Sequence, residues 1–166
     1  MYKRLETERL IIRPIALDDA SFIFELVNSE GWLRFIGDRN VKTQAESEQY
    51  IQKLLANKAL FYNVFVLKPS HQPIGIISFL LREDYSYPDI GFAMLPQFGK
   101  KGYALEAARK YLDEIVAQSS MDRVLGITMP ENTDSIRLLE RLGLKFSMRL
   151  AKDKKELLLY ELIIRQ

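Results

Sequence analysis

Residues 89–108, DIGFAMLPQFGKKGYALEAA, constrain the fold more than any other segment of the chain. An apolar run that reads as a strand ends in a loop holding Gly99 and Gly102. A helical pattern follows at once, with Ala104, Ala107, Ala108, Tyr111, Leu112 and Ile115 on one apolar stripe. Glycine lets backbone approach a ligand closely. A helix N-terminus presents unpaired N–H groups and partial positive charge. Lys100 and Lys101 add full charges. Such a unit is either an anion cradle or an ordinary tight turn with solvated lysines. A Walker loop needs Ser or Thr after Gly-Lys, and here Tyr103 follows Gly102. A dinucleotide fingerprint needs a parallel βαβ unit, whereas this loop follows three runs that read as an antiparallel meander: Tyr62–Leu67, Ile74–Leu81 and Tyr87–Leu95.

The rest of the chain arranges itself around that unit. Arg9–Ile15 reads as a strand. A helix follows from Asp18 and Asp19 with Phe22, Ile23, Leu26 and Val27 inward. A second helix spans Ala45–Ala56 with Tyr50, Ile51, Leu54 and Leu55 inward. The stretch SEGWLRFIGDRN between them reads as turn-rich. Arg123–Thr128 is a short strand. Asn132–Leu142 is a helix with Leu138, Leu139 and Leu142 inward, stopped by Gly143. Lys145–Leu150 and Glu156–Ile164 read as strands around the charged turn AKDKK. The expectation is a single α/β (α+β) domain over residues 1–166, with a mixed, mostly antiparallel twisted sheet of about seven strands and helices on both faces.

Composition narrows the function. The 166 residues carry 24 basic and 22 acidic side chains, a net charge of +2, too balanced for a protein that coats nucleic acid. No Cys is present, which removes thiolate nucleophiles and disulfides. No metal site is expected. The single His, His71, lies in a turn between prolines, so no Ser-His-Asp triad is available. The N-terminal MYKRLETERL lacks an apolar targeting core, and no run is long enough to span a membrane; a cytoplasmic location is expected.

Three segments resemble the GNAT superfamily of acetyl-CoA-dependent N-acyltransferases, and within it the RimJ/RimL-like branch of ribosomal-protein N-terminal acetyltransferases. TERLIIRPIALDDA resembles the branch's first strand and helix. DIGFAMLPQFGKKGYALEA resembles its acyl-CoA-binding motif. PENTDSIRLLERLGLKF resembles its second CoA-contacting helix and the strand after it. They occur in the family's order between Thr7 and Phe146.

The resemblance implies a cleft where the strand ending at Leu95 splays from the strand of Val124–Thr128. Phe92, Ala93, Met94 and Leu95 would pair with the pantetheine arm of acetyl-CoA, and an N–H of Ala93 or Met94 would polarise the thioester carbonyl. Phe98, Gly99, Lys100, Lys101, Gly102, Tyr103 and Ala104 would hold the pyrophosphate, and Asn132 and Ser135 would line the thiol end. With no Cys, the acetyl group would pass directly to a primary amine, a peptide N-terminus or a small molecule.

Three positions depart from the family pattern. Lys100 stands at the first glycine of the loop, with Gly99 one place earlier as a possible source of flexibility. Leu139 stands where many members carry a proton-donating Tyr; Ser135 is the candidate substitute, unless it only caps its helix. Asp89 stands where many members carry a general base, and would act through water. Glu106 reads as a solvated or helix-dipole residue. The alternative function is a catalytically silent acyl-CoA sensor. The acceptor loops, around Trp32 to Arg39 and Lys152, carry no readable code, and monomer or homodimer is left open.

Overall fold

The computed structural model describes residues 1–165. Its strands are β1 (Leu5–Glu6), β2 (Leu10–Pro14), β3 (Leu60–Leu67), β4 (Pro73–Leu80), β5 (Asp89–Met94), β6 (Arg123–Thr128), β7 (Lys145–Lys152) and β8 (Lys155–Ile163). Its helices are α1 (Ala20–Val27), α2 (Glu30–Phe35), α3 (Gln44–Ala56), α4 (Tyr103–Gln118) and α5 (Thr133–Arg141). The strands form one sheet in the order β1-β2-β3-β4-β5-β6-β8-β7. Every neighbouring pair is antiparallel except β5 and β6. The expected α/β architecture holds; the eighth strand is the two-residue β1, too short to give a period-2 signal.

The central strands are apolar on both faces because both faces are covered. Leu10, Ile12, Phe65, Ile77, Phe79 and Ile90 pack with Ala107, Tyr111, Leu112, Leu139 and Leu142 of α4 and α5. Ile15, Tyr62, Val64, Val66, Ile76 and Leu80 pack with Phe22, Ile23, Leu26, Trp32, Ile51 and Leu54 of α1, α2 and α3. Alternation along β5 divides its side chains accordingly. Ile90, Phe92 and Met94 face α4, while Ala93 and Leu95 face the other layer.

Two local readings are corrected. GWLRF is helical rather than turn-rich, with Trp32 at 4% exposure anchoring α2 to the sheet. Tertiary burial of that one large ring outweighs the low helix propensity of Gly31. Leu55 is exposed (41%) rather than inward, because α3 spans the sheet on the narrower stripe of Ser47, Ile51 and Leu54. The start of α3 is a full capping box between Thr43 and Glu46. Gly143, at φ +97°, ends α5 as expected.

Gly75 of β4 is forced by packing. Its cross-strand partner Phe65 lies over it, so a Cβ would sit 2.1 Å from Phe65 Cζ and 2.7 Å from the Ala93 carbonyl oxygen. Neither neighbour can retreat, since Phe65 is fully buried and Ala93 lies in the sheet. Gly75→Ala is therefore expected to cost about 1–3 kcal/mol. Gly31→Ala, with nothing within 4 Å of the new Cβ, is expected to be neutral or to stabilise α2 by a few tenths up to about 1 kcal/mol. Denaturant unfolding of both variants checks the opposite signs.

Candidate active site

β5 and β6 share one register position, Asp89 opposite Leu125, with Leu125 N–H donating to the Pro88 carbonyl at 2.8 Å. Beyond it they part. Which β5 amides this leaves open follows from the antiparallel rule. Leu95 N–H donates to the Ile74 carbonyl at 2.9 Å, so Leu95 and Ile74 are a hydrogen-bonded pair. Alternation then commits Ala93, Gly91 and Asp89 to their β4 partners Ile76, Ser78 and Leu80. The main-chain groups of Phe92 and Met94 point instead into the gap beside β6. Of the two amides expected to polarise a carbonyl, Ala93 is thus already engaged by β4, and Met94 is open. Phe92 is the second open donor.

A cleft of about 1100 Å³ follows this gap and continues over the α2 side of the sheet. One end is bordered by Gly99, Lys100, Gly102, Ala104 and Leu105 at the start of α4, and by Asn132, Ser135 and Leu139 of the α5 region. The other is bordered by Trp32, Phe35, Arg39, Tyr62, Ser78, Arg82 and Asp89, and by the β7–β8 turn. Phe92, Ala93 and Met94 line the passage between them. Leu95, Phe98, Lys101 and Tyr103 do not line it: Leu95 is buried, Phe98 packs on both cores, Lys101 is exposed, and Tyr103 lies under Arg9 with its ring centroid 4.3 Å from the guanidinium carbon.

The N-terminus of α4 has no side-chain cap, because its N-cap is Gly102, at φ +79°. Glu106 N–H is the first to find a helical partner, the Gly102 carbonyl, so the amides of Tyr103, Ala104 and Leu105 have none within the helix. The preceding turn places Lys100 at φ +62°. The left-handed residue is thus Lys100 itself, at a steric cost of roughly 1–2 kcal/mol. Gly99 supplies no unusual conformation, since its φ is −64° and ψ 161°. Left-handed residues at 100 and 102 curl this loop into a concavity suited to an anion.

Glu106 is not solvated. Its carboxylate accepts hydrogen bonds from Thr7 Oγ1 at 2.6 Å, Arg9 N at 2.9 Å and Arg9 Nε at 2.7 Å. Arg9 Nη1 in turn donates to the Lys101 carbonyl at 2.9 Å. One carboxylate therefore ties the start of β2 to the first turn of α4 and, through Arg9, to the loop. Partial burial works against its ionised form, but the bonds from Thr7 and Arg9 outweigh this and hold its pKa below the usual range.

At the opposite end Asp89 is 3% exposed and paired in both oxygens: Arg82 Nε donates to Oδ1 at 2.8 Å and Arg82 Nη2 to Oδ2 at 3.2 Å. Burial raises the Asp89 pKa, and the Arg82 guanidinium opposes this without cancelling it. Tyr62, Ser78 and Gly91 are successive cross-strand partners in the adjoining row of the sheet. A Cβ on Gly91 would sit 2.6 Å from Ser78 Oγ, so glycine keeps that hydroxyl uncovered. Burial raises the Tyr62 pKa, leaving its phenol protonated at neutral pH. The sequence carried no signal for Arg82, Tyr62 or Ser78, whose roles come from strand register.

On α5 the cap is Asn132, whose Oδ1 accepts from Ser135 N–H at 3.3 Å. The capping duty considered for Ser135 belongs to Asn132, which leaves the Ser135 hydroxyl without it. Leu139, one turn further on the same face, is buried against Gly126, where a Cβ would sit 2.4 Å from Leu139 Cδ2.

The Acetyltransferase (GNAT) domain family matches residues 9–145. The uncharacterized N-acetyltransferase YnaD of Bacillus subtilis (strain 168) is 25% identical over 142 residues, covering 85% of this chain and 82% of YnaD. The ribosomal-protein-S5-alanine acetyltransferase of Vibrio fischeri shares the fold with a TM-score of 0.81 at 21% identity, over 97% of this chain and 96% of that one. RimL, a ribosomal L7/L12 alpha-N-protein acetyltransferase in complex with coenzyme A, shares it with a TM-score of 0.82 at 14% identity, over 95% of each chain.

Glu106→Gln is expected to cost about 1 kcal/mol at neutral pH, discounted for the half-exposed Arg9 partner. Because the folded pKa lies below the unfolded one, the native contribution is present above the ordinary carboxylate range and lost as pH falls through the folded pKa. The gap between wild type and variant should therefore close in acid, as thermal unfolding at pH 7 and pH 3 would read.

Proposed function

The chain belongs to the acetyltransferase (GNAT) domain family and is an acetyltransferase, and on that premise we propose that it transfers an acetyl group directly from acetyl-CoA to a primary amine. The observation that carries this reading is the parted β5–β6 pair opening beside an uncapped 16-residue helix. Acetyl-CoA would bring an activated thioester and an anionic pyrophosphate. The loop Gly99–Ala104 would receive the phosphates on the free amides of α4 and the charge of Lys100. Met94 would pair through its main chain with the pantetheine arm. Phe92 N–H, nearer Asp89, would donate to the thioester carbonyl as negative charge develops on it, a contribution of a few kcal/mol for a placed donor.

Asp89 would take the proton from the attacking nitrogen, directly or through one water. Its raised pKa brings it closer to the operating pH than an ordinary carboxylate, which suits a general base. The Arg82 guanidinium favours its ionised form. Leu139 offers no proton to the departing sulfur, so Ser135 Oγ, on the same helical face, would donate a hydrogen bond to the thiolate, whose proton then comes from solvent water. Weak proton machinery favours an acceptor that is already partly neutral. An α-amine of pKa about 8 is roughly 10% neutral at pH 7, against roughly 0.04% for a lysine. A peptide N-terminus or small α-amine is therefore the expected acceptor. The test is release of free thiol from acetyl-CoA across an amine panel; no release with any amine would overturn the reading.

Two further outcomes are expected. Coenzyme A should raise the melting temperature where ATP does not, by the equivalent of about 2.7 kcal/mol at a hundredfold excess over Kd. Gly102→Val should weaken that effect far more than Lys101→Ala, because a β-branched residue is strained at φ +79° whereas Lys101 is exposed. Calorimetric titration of both variants compares them.

The rate should also rise with pH through an inflection above the ordinary carboxylate range, since Asp89 must lose its proton to act. Arg82→Ala should move that inflection to higher pH, because burial is then unopposed. Asp89→Asn should abolish it and slow turnover ~100-fold or more. An inflection unmoved in both variants would remove Asp89 as the base.

A further inference from the structure

The acceptor end of the cleft has an uneven charge balance. Arg82 is answered by Asp89, and Lys152 of the β7–β8 turn by Asp84. Arg39, on the segment after α2, has no carboxylate within 4 Å among the described residues. The neighbouring acids are engaged elsewhere: Asp38 pairs with Lys42, and Glu46 accepts from the main-chain N–H groups of Lys42 and Thr43. Arg39 is exposed and borders the cleft. Its guanidinium carbon lies 5.7 Å from the centroid of the Trp32 ring, which is itself buried and fixed in α2. Also lining the cleft, Lys155 and the acid Asp153 have no ion pair among the described residues. The floor between these cations is the Tyr62, Ser78 and Asp89 surface.

We infer that the acceptor carries an anionic group near its amine, a carboxylate that pairs with Arg39 while the amine lies over Asp89. This rests on the acetyl-transfer reading and specifies its second substrate. An acceptor with only an amine and an apolar body would leave the guanidinium unanswered in the cleft. A polyamine would bring further positive charge beside Arg39, Arg82 and Lys155, an unfavourable contact at close range. The guanidinium's fork of donors matches a carboxylate bidentately, which a lysine would not. The carboxylate can belong to a free amino acid or to an acidic residue next to a peptide N-terminus; the chemistry at Arg39 is the same.

The test is thiol release with matched acceptors: alanine against alaninamide, the peptide Ala-Glu-Phe-amide against Ala-Gln-Phe-amide, and spermidine. The expected result is a ~10- to 100-fold higher kcat/KM for the carboxylate member of at least one pair, with spermidine slowest. The pair that shows the ratio identifies the source of the carboxylate. Alaninamide has the less basic amine, so a preference for alanine runs against amine ionisation. Arg39→Ala should bring the ratio to within ~3-fold, Arg39→Lys should retain part of it, and Arg39→Glu should invert it. Equal or faster turnover of the neutral members or of spermidine, or a ratio unchanged in Arg39→Ala, overturns the inference. Should no amine be acetylated, the transfer reading fails, and calorimetry of N-acetylalanine against its amide still decides the anion site. Tighter binding of the acid, lost in Arg39→Ala, upholds it; equal binding overturns it.

Discussion

β5 and β6 run parallel, hold register at Asp89 opposite Leu125, and then diverge. A parallel pair that stays together satisfies its own main-chain groups. One that parts leaves a row of donors and acceptors facing outward, here those of Phe92 and Met94. Everything else in the site takes its place from that separation. β5 is held on its other side by an unbroken register with β4 from Gly75↔Met94 to Leu80↔Asp89, and β6 by β8 from Arg123↔Ile163 to Thr128↔Leu158. The gap is therefore fixed by two firm sheet halves rather than by a loop, which is what a site needing positions good to a fraction of an ångström requires.

The two ends of the cleft solve opposite electrostatic problems. At the start of α4 the protein collects unpaired N–H groups and lysines, and uses a half-buried carboxylate, Glu106, to hold that turn to β2. At the vertex it keeps a carboxylate, Asp89, out of water and offsets it with one guanidinium. Burial raises the pKa of this acid, and the opposing cation limits the rise by favouring the ionised form. The Ser78 hydroxyl stays clear because Gly91 carries no Cβ beside it.

Much of this was legible in the residues. Long apolar runs with turns between them gave away β3, β4 and β5, and the alanine-rich stripe gave away α4. The glycine loop leading into α4 was readable because its elements are contiguous in sequence. What was hidden depends on contacts far apart in the chain. The Arg9–Glu106 bond joins residues 97 positions apart, and no local pattern could reveal it. α2 is six residues with a glycine inside, below the length at which helical periodicity is detectable. The commitment of Ala93 to β4 follows from strand register, and the Arg82–Asp89 and Arg39–Trp32 contacts follow from where the chain turns back on itself, which residue types alone do not show. Lys100 shows the limit in the other direction. Its identity suggested that a neighbour would take the glycine's part, whereas the backbone keeps the left-handed turn at Lys100 and tolerates the strain.

In the proposed mode the acyl donor lies along the open amides of β5. Residue-resolved amide hydrogen exchange, with and without saturating coenzyme A, measures this directly. The account predicts that coenzyme A strongly slows exchange at Phe92 and Met94 and at Tyr103, Ala104 and Leu105, while Ala93, already bonded to β4, changes little. Protection that appears at Ala93 instead, or that leaves Phe92 and Met94 as fast as in the free protein, would contradict it.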